Sequence, residues 1–325
     1  QHGRLGEFLL EHVLQRRKQR VMSATSIWND WSCTARVTVD DASTLVLAQH
    51  TLTELMGHVS LASSRFRSDS DISKVNHHAG RMVPVSSLTL TLVKAAIESA
   101  RSSLGTVDPT VGAHLIRAGY DDDIAIVRDA NRPDWAATDQ TRPADWTKVR
   151  IDETLRMVGV PTGMRLDLGS SAKAWTVDEG ASRIARLSGS AVIVEIGGDL
   201  AVSGQMDEPW RIAIGEVADT TEEYVELTHG AIATSSIVAR RWQTPSGARH
   251  HIIDPATSEP AQGPWRTATV WAHTALEANT ASTAAIVLGD RALEFLEDRG
   301  LAARLVAQNG STVRVGAWPA GQRAA

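Results

Sequence analysis

From Leu155 onward the chain is a run of short strand-like segments separated by tight glycines, and this pattern constrains the fold of the 325 residues more than any other feature. Arg165 to Leu168, Ala191 to Ile196, Leu200 to Ser203, Trp210 to Ile214, Tyr224 to Leu227, Ile252-Ile253 and Thr267 to Trp271 read as strands by their alternation or β-branched content. Helical periodicity interrupts them only at Ala172 to Leu187, Asn279 to Leu288 and Asp290 to Asp298. Runs of strands with occasional helices predict an α+β class with layered mixed or antiparallel sheets and packed helices, not a doubly wound parallel sheet.

The first half reads differently. Thr34 to Val39 alternates like a strand, and Asp40-Asp41 offers an N-cap to a helix whose apolar positions Leu45, Ala48, Leu52, Leu55, Met56 and Val59 recur at three and four. A second helix is predicted from Ser87 through Ser103, with Gly105 as its stop. Asp121 to Asp145 is acidic, carries Pro133 and Pro143, and reads as an irregular surface excursion. Glu7 to Arg20 reads as a short amphipathic helix ending in a basic cluster, so residues 1–26 are expected to be a helical extension and 27–325 one domain.

Charge narrows the partners. With 33 Lys+Arg against 38 Asp+Glu there is no global basic footprint, which argues against nucleic acid. The single cysteine, Cys33, excludes both an internal disulfide and a cysteine-based zinc site, so any metal must sit on oxygen or histidine. No apolar run approaches the ~20 residues of a membrane span. No export signal is visible, so a cytoplasmic location is expected, although a chain beginning at Gln1 leaves an upstream signal open.

Several short segments could carry chemistry. RHHIIDPAT, residues 249–257, gathers imidazoles, a carboxylate and a hydroxyl where Asp254-Pro255 should end a strand, and histidine, as at His251, is the side chain whose unperturbed pKa lies nearest to working pH. A His–Asp pair used only for capping and turn hydrogen bonds fits the segment equally well. DPTVG (108–112) and DLGSSAK (167–173) each open something regular; in the second, free N–H groups of Gly169, Ser170 and Ser171 with Lys173 could receive phosphate oxygens. An N-capped helix with a surface lysine explains the same residues. EIGGD (195–199) follows an apolar strand, so its glycines mark a close backbone approach or a tight turn. AIATSS (231–236) supplies three hydroxyls after a strand, suited to phosphate or to an ordinary turn. ANTASTA (278–284) opens a helix with Asn279 as N-cap and Thr283 one turn later, where two oxygens could share a hard cation.

Taken in order, SRFRSDSDISKVN (64–76), DPTVG, DLGSSAKAWTVD (167–178), EIGGDLAVSG (195–204), ATSS (233–236), HIIDPAT (251–257) and ANTASTAAIVLG (278–289) resemble the ApbE family, the FAD:protein FMN transferases. The resemblance spans about residues 27 to 315, and the GYDDD stretch is similar to a variant common in actinobacterial members. It implies a T-fold-related α+β architecture and a Mg²⁺-dependent transfer of FMN from FAD to a threonine of an acceptor protein, with AMP released. The implied acceptor motif is Ser/Thr-Gly-Ala-Thr, which this chain lacks. It implies further that His251 is the base for the acceptor hydroxyl, assisted by Asp254, and that the Ala172 carbonyl, Asn279 and Thr283 hold the metal. FAD contacts would come from Ser64, Arg65, Phe66, Asp108, Pro109, Thr110, Asp167, Lys173, Asp178, Gly197, Gly198, Thr234, Ser235 and Ile252.

The chain departs from the family pattern at several points. Asn279 stands where most members carry aspartate, which should weaken Mg²⁺ binding by removing a charged ligand. Ser170, Ser171, Ala174, Ser236 and Ser258 stand at usual glycine positions, a change that is cheap where φ is negative and poor where it is positive. Two other functions stay compatible with the motifs: an FAD pyrophosphatase giving FMN and AMP, and an FAD-binding protein without turnover.

Overall fold

The computed structural model describes residues 22–129, 141–216 and 222–319; the helix expected at Glu7 to Arg20 lies outside them. The chain begins with the hairpin β1 (Ala24–Asp30) and β2 (Cys33–Val39), followed by helices α1 (Leu45–Ser63) and α2 (Asp71–His77). Next come β3 (Val83–Pro84), α3 (Ser87–Ser102), α4 (Gly112–Arg117) and α5 (Ile124–Asp129). Two short strands, β4 (Arg150–Asp152) and β5 (Met157–Gly159), join β3 in a small sheet. Helix α6 (Ala172–Ser188) leads into β6 (Val192–Ile196), β7 (Asp199–Ser203), β8 (Trp210–Ile214), β9 (Glu223–Leu227) and β10 (Ala231–Ser236). Then follow β11 (Arg241–Thr244), β12 (Gly247–His250), β13 (Ile253–Asp254), β14 (Glu259–Pro260) and β15 (Trp265–Ala272). The described chain closes with α7 (Ala275–Leu288), α8 (Ala292–Asp298), β16 (Ala302–Ala307) and β17 (Thr312–Val315).

The main sheet has eight strands in the order β1-β2-β6-β7-β10-β15-β16-β17, and each neighbouring pair is antiparallel. Alternation sorts its side chains onto two faces. Val37, Val39, Val192, Val194, Ile196, Ala201 and Ala231 pack with residues of α1 and α6. Ile193, Leu200 and Ile232, offset by one, pack against the β8–β9 hairpin through Ile212, Ile214, Val225 and Leu227. Coverage on both faces explains why β6 is apolar at every position but Glu195, which Arg36 of β2 meets at 3.1 Å. Helix α7 is buried nearly all round, and Ala278, Ala281, Ala284 and Ala285 keep it thin enough to lie against β10 and β15. The α+β class and antiparallel layering read from the pattern are those observed.

Several local expectations need correction. Strand β1 was not anticipated; its pairing with β2 starts at Ala24, so the boundary placed at residue 27 falls inside it. Arg165 to Leu168 is not a strand: only an isolated parallel bridge from Val111 reaches Arg165, while Asn76 takes both backbone groups of Leu166. AIATSS is not a turn after a strand but the central strand β10 itself. The stretch starting at Asp121 is partly helical: in α5, Ile124 and Val127 are buried beside Trp242. The helix expected to open at Asn279 begins four residues earlier at Ala275, with Thr274 Oγ1 accepting from Glu277 N at 3.1 Å. Asn279 therefore sits in the second turn and is not an N-cap.

A buried ion cluster ties the C-terminal hairpin to β9. Glu223, 2% exposed, meets Arg304 at 3.2 Å, pairs with Arg314 and accepts from Trp318 Nε1 at 2.9 Å.

Candidate functional site

Gly198, Thr234, Ser235, Lys173, His251, Asn279 and Thr283 gather where the β6–β7 turn, β10, the start of α6, the middle of α7 and the loop after β12 converge. The turn is built by its glycines. Gly197 has φ +64, and a Cβ on Gly198 would lie 2.7 Å from the carbonyl oxygen of Thr234, so the close approach expected from the glycine pair is real. Gly198 carbonyl accepts from Thr234 N at 2.8 Å, locking the turn to β10. The hydroxyls of β10 then alternate in direction: Thr234 Oγ1 meets Thr269 Oγ1 at 3.0 Å, while Ser235 Oγ meets Ser282 Oγ and Thr283 Oγ1 of α7, each at 2.8 Å.

Directly beside this cluster lies a pair that the residue-by-residue reading missed. Asp199 is 1% exposed and Asn279 7%; Asn279 Nδ2 donates to Asp199 Oδ1 at 2.8 Å, and the other amide atom, Oδ1, is buried with no hydrogen-bond partner. Burial pushes the Asp199 carboxyl up, opposed by the charge of Lys173, the Asn279 bond and Arg240. Burial pushes the Lys173 ammonium down, as does Arg240, and Asp199 draws it back. Lys173 Nζ donates to Gly169 O at 2.9 Å; Gly169 N in turn donates to Asp167 Oδ1 at 2.7 Å. Asp167 Oδ2 takes Arg65 Nε at 2.5 Å, and Asp167 N donates to Pro109 O at 2.8 Å. One chain of polar contacts and charges thus links Arg65, Asp167, Lys173, Asp199 and Asn279.

The loop leading into α6 is less open than expected. Gly169 N is taken by Asp167 and Ser171 N by Leu168 O, so these two amides are not free for phosphate. The carbonyl of Ala172 already accepts Thr176 Oγ1 at 2.7 Å. Asp108 and Thr110 are buried and lock the neighbouring loop: Asp108 accepts from Thr110 N, Thr110 Oγ1 and Trp146 N, at 2.7, 2.6 and 3.0 Å. Asp178 caps α7, accepting from Ala275 N at 2.7 Å and Leu276 N at 3.0 Å, and burial raises its carboxyl to about 6 despite those bonds. Ser64 ends α1, its carbonyl accepting Ser70 Oγ at 2.5 Å, and Ile252 is buried with its carbonyl on Ala261 N at 2.9 Å.

His251 lies at a bend between β12 and β13. The β11–β12 register pairs Arg241 with His250, which sets Arg240 opposite His251 one step along. Burial holds the imidazole well below its ordinary 6.5, helped by the charges of Arg240, Lys173 and His250, with a backbone hydrogen bond at Arg240 in opposition. Its Nδ1 is buried and unpartnered. The carboxylate of Asp254 is turned to the backbone, accepting from Ala256 N at 2.9 Å, and does not hold Nδ1 of His251. Arg240 had no periodic signal; only the hairpin pairing puts it here.

An aromatic wall adjoins Arg65. Its guanidinium lies 4.1 Å from the Phe66 ring centroid and 4.6 Å from that of Tyr120, and Tyr120 stacks on Trp242 at 5.3 Å and 26°. Phe66 keeps 43% of its surface exposed, enough to offer a face to a flat ring. Tyr120 and Trp242 escaped the sequence reading because residues 120 and 242 meet only in the fold.

Of the serine and alanine positions where the family pattern has glycine, Ser258 alone has positive φ, at +62. A non-glycine residue there costs ~1–2 kcal/mol, partly offset by the greater unfolded-state entropy of glycine. Ser258→Gly is therefore expected to raise stability by up to about 1 kcal/mol, read as a Tm rise of roughly 1–3 °C. An unchanged or lower Tm would show that the turn carries no such strain.

A sequence profile of the ApbE family matches residues 30–305. An FAD:protein FMN transferase from Haemophilus influenzae is 30% identical over 288 residues, covering 82% of this chain and 81% of that protein. One from Vibrio cholerae is 31% identical over 277 residues, covering 81% and 77%. Among solved structures, the ApbE protein of Thermotoga maritima aligns with a TM-score of 0.79 at 24% identity, over 90% of this chain and 97% of that one. Flavin transferase ApbE from Vibrio cholerae aligns with a TM-score of 0.73 at 26% identity, over the same shares of the two chains. The profile runs from the last residue of β1 into β16 and so takes in every element of the site: this chain belongs to the ApbE family.

Proposed function

We propose that the chain is an FAD:protein FMN transferase: it passes FMN from FAD to the threonine hydroxyl of an acceptor protein carrying a Ser/Thr-Gly-Ala-Thr-like motif, releases AMP and uses Mg²⁺. The observation that carries the mechanism is His251, a histidine held neutral, with an unpartnered Nδ1, beside two cations and next to a buried polar cluster.

The donor set fits a hard cation. Asn279 Oδ1 is buried without a partner, Thr283 presents a hydroxyl one turn along the same helix, and both are hard oxygen donors. The Ala172 carbonyl completes the proposed set, provided the Thr176 hydroxyl shares it. Bound there, Mg²⁺ would neutralise phosphate charge and orient the pyrophosphate.

The protein's own groups supply the remainder. Lys173 and Arg240 place positive charge where the pyrophosphate is negative, and the Phe66–Tyr120–Trp242 wall offers stacking area for a flat ring of FAD. His251 takes the proton of the acceptor hydroxyl; the freed oxygen attacks the FMN phosphorus, its bond to the bridging oxygen breaks, and AMP leaves with that oxygen. In this role Asp178 and Asp108 act as structural supports, since their oxygens already serve backbone amides.

Incubation with FAD, Mg²⁺ and an acceptor peptide bearing the motif is expected to give covalent flavin fluorescence on the acceptor and AMP in equal amount. AMP with unlabelled acceptor would instead identify a pyrophosphatase, and neither product would identify a flavin-binding protein.

A further inference from the structure

We propose that Asp199 is a positioning residue for the cation site: by accepting the amide N–H of Asn279, it fixes which end of that side chain is offered to the ion. The inference rests on the Mg²⁺ reading above and deepens it.

An asparagine has two ends of nearly equal size and opposite hydrogen-bonding character, so a buried one presents whichever end its neighbours select. Here the neighbour is a carboxylate at 2.8 Å with 1% exposure. An oxygen facing that carboxylate would set acceptor against acceptor; only Nδ2 can face it, and a bond to a charged acceptor is of the stronger kind. Oδ1 is therefore forced to the opposite side, where it is buried and has no protein partner. A buried acceptor without a donor is an exception in folded proteins, and a cation would satisfy it. Thr283 Oγ1, four residues on, lies on the same helix and is held by Ser235 Oγ at 2.8 Å.

The pair also accounts for an amide at residue 279. A carboxylate there would stand against the buried carboxylate of Asp199 and repel it unless a cation were already present. With Asn279 the contact is attractive, and the negative charge is kept one bond behind the donor oxygen. Residues that orient a metal ligand from behind commonly change metal affinity by about 10–100-fold when altered.

Isothermal titration of Mg²⁺ into the FAD-free full chain tests the idea without relying on activity. Wild type is expected to bind, and Asp199→Asn, whose amide no longer dictates the orientation of Asn279, to bind about 10–100-fold more weakly. The exchanged protein, Asp199→Asn with Asn279→Asp, keeps one carboxylate and one amide with their roles reversed; it is expected to bind at least as tightly as wild type. Because it preserves the charge of the pair, it is informative even where the single variant is too unstable to titrate. Affinity in Asp199→Asn within two-fold of wild type overturns the proposal, as does an exchanged protein that binds more weakly than wild type. A lower Tm of the metal-free single variant with unchanged Mg²⁺ affinity marks a merely structural role and also overturns it. Should wild type itself not bind Mg²⁺, the cation reading fails and this inference with it.

Discussion

Replacing His251 with alanine is expected to slow FMN transfer by about 10²- to 10⁴-fold, the usual contribution of a positioned general base, while FAD still binds. The two readouts separate because the proposed FAD contacts of Arg65, Lys173 and the aromatic wall do not pass through His251. Labelling of an acceptor peptide measures the first, and a fluorescence titration of FAD the second; full labelling by the variant would remove His251 as the base. The pH profile gives an independent check. Burial and the charges of Arg240, Lys173 and His250 disfavour the imidazolium, so the folded pKa lies below 6.5. Falling pH therefore leaves the base form intact until that lowered value is reached, and the acid limb of kcat/KM, which reports the free enzyme, is expected below pH 6.5. A limb above 6.5 that persists in His251→Ala would belong to another group.

The largest expected effect on stability lies far from the chemistry. Glu223→Ala removes the carboxylate shared by Arg304, Arg314 and Trp318 and leaves Arg304, itself 4% exposed, with only the half-exposed Glu222 as its carboxylate partner among the described residues. Breaking a buried ion pair from one side costs about 3–5 kcal/mol, which should lower Tm by roughly 10 °C. Glu222, which also pairs with Arg304 but whose side chain is 39% exposed, is the control: Glu222→Ala is expected to cost under about 1 kcal/mol. Equal losses from the two variants would show that burial does not set the strength of this cluster.

Much of this architecture is legible in the chain because it depends on local pattern. Helix α6, α3 with its Gly105 stop, and the β6–β7 hairpin around Gly197-Gly198 announce themselves through periodicity and glycines. What escaped has two physical origins. Some signals were masked by composition: β10 carries Thr234, Ser235 and Ser236 and so reads as a phosphate-holding or turn segment after a strand, although its hydroxyls are spent against β15 and α7. Helix α7 is buried nearly all round and lacks an amphipathic stripe, which drew attention to Asn279 and away from the Thr274–Glu277 capping pair that marks its start. Others were never local. Asp199 meets Asn279 across 80 positions, and Arg240 reaches His251 only through the β11–β12 ladder. The motifs supplied the family's residues one by one; the side chains behind them come from long-range pairing.

The carboxylate of Asp178 belongs to α6, while the amides it holds open α7, 97 positions away. That single stitch fastens the lysine-bearing helix to the hydroxyl-bearing one before any cofactor arrives. Anyone transplanting this pocket onto another scaffold would have to carry both helices and their fastening as a unit, because the second helix alone would deliver oxygens without the anchor that aims them.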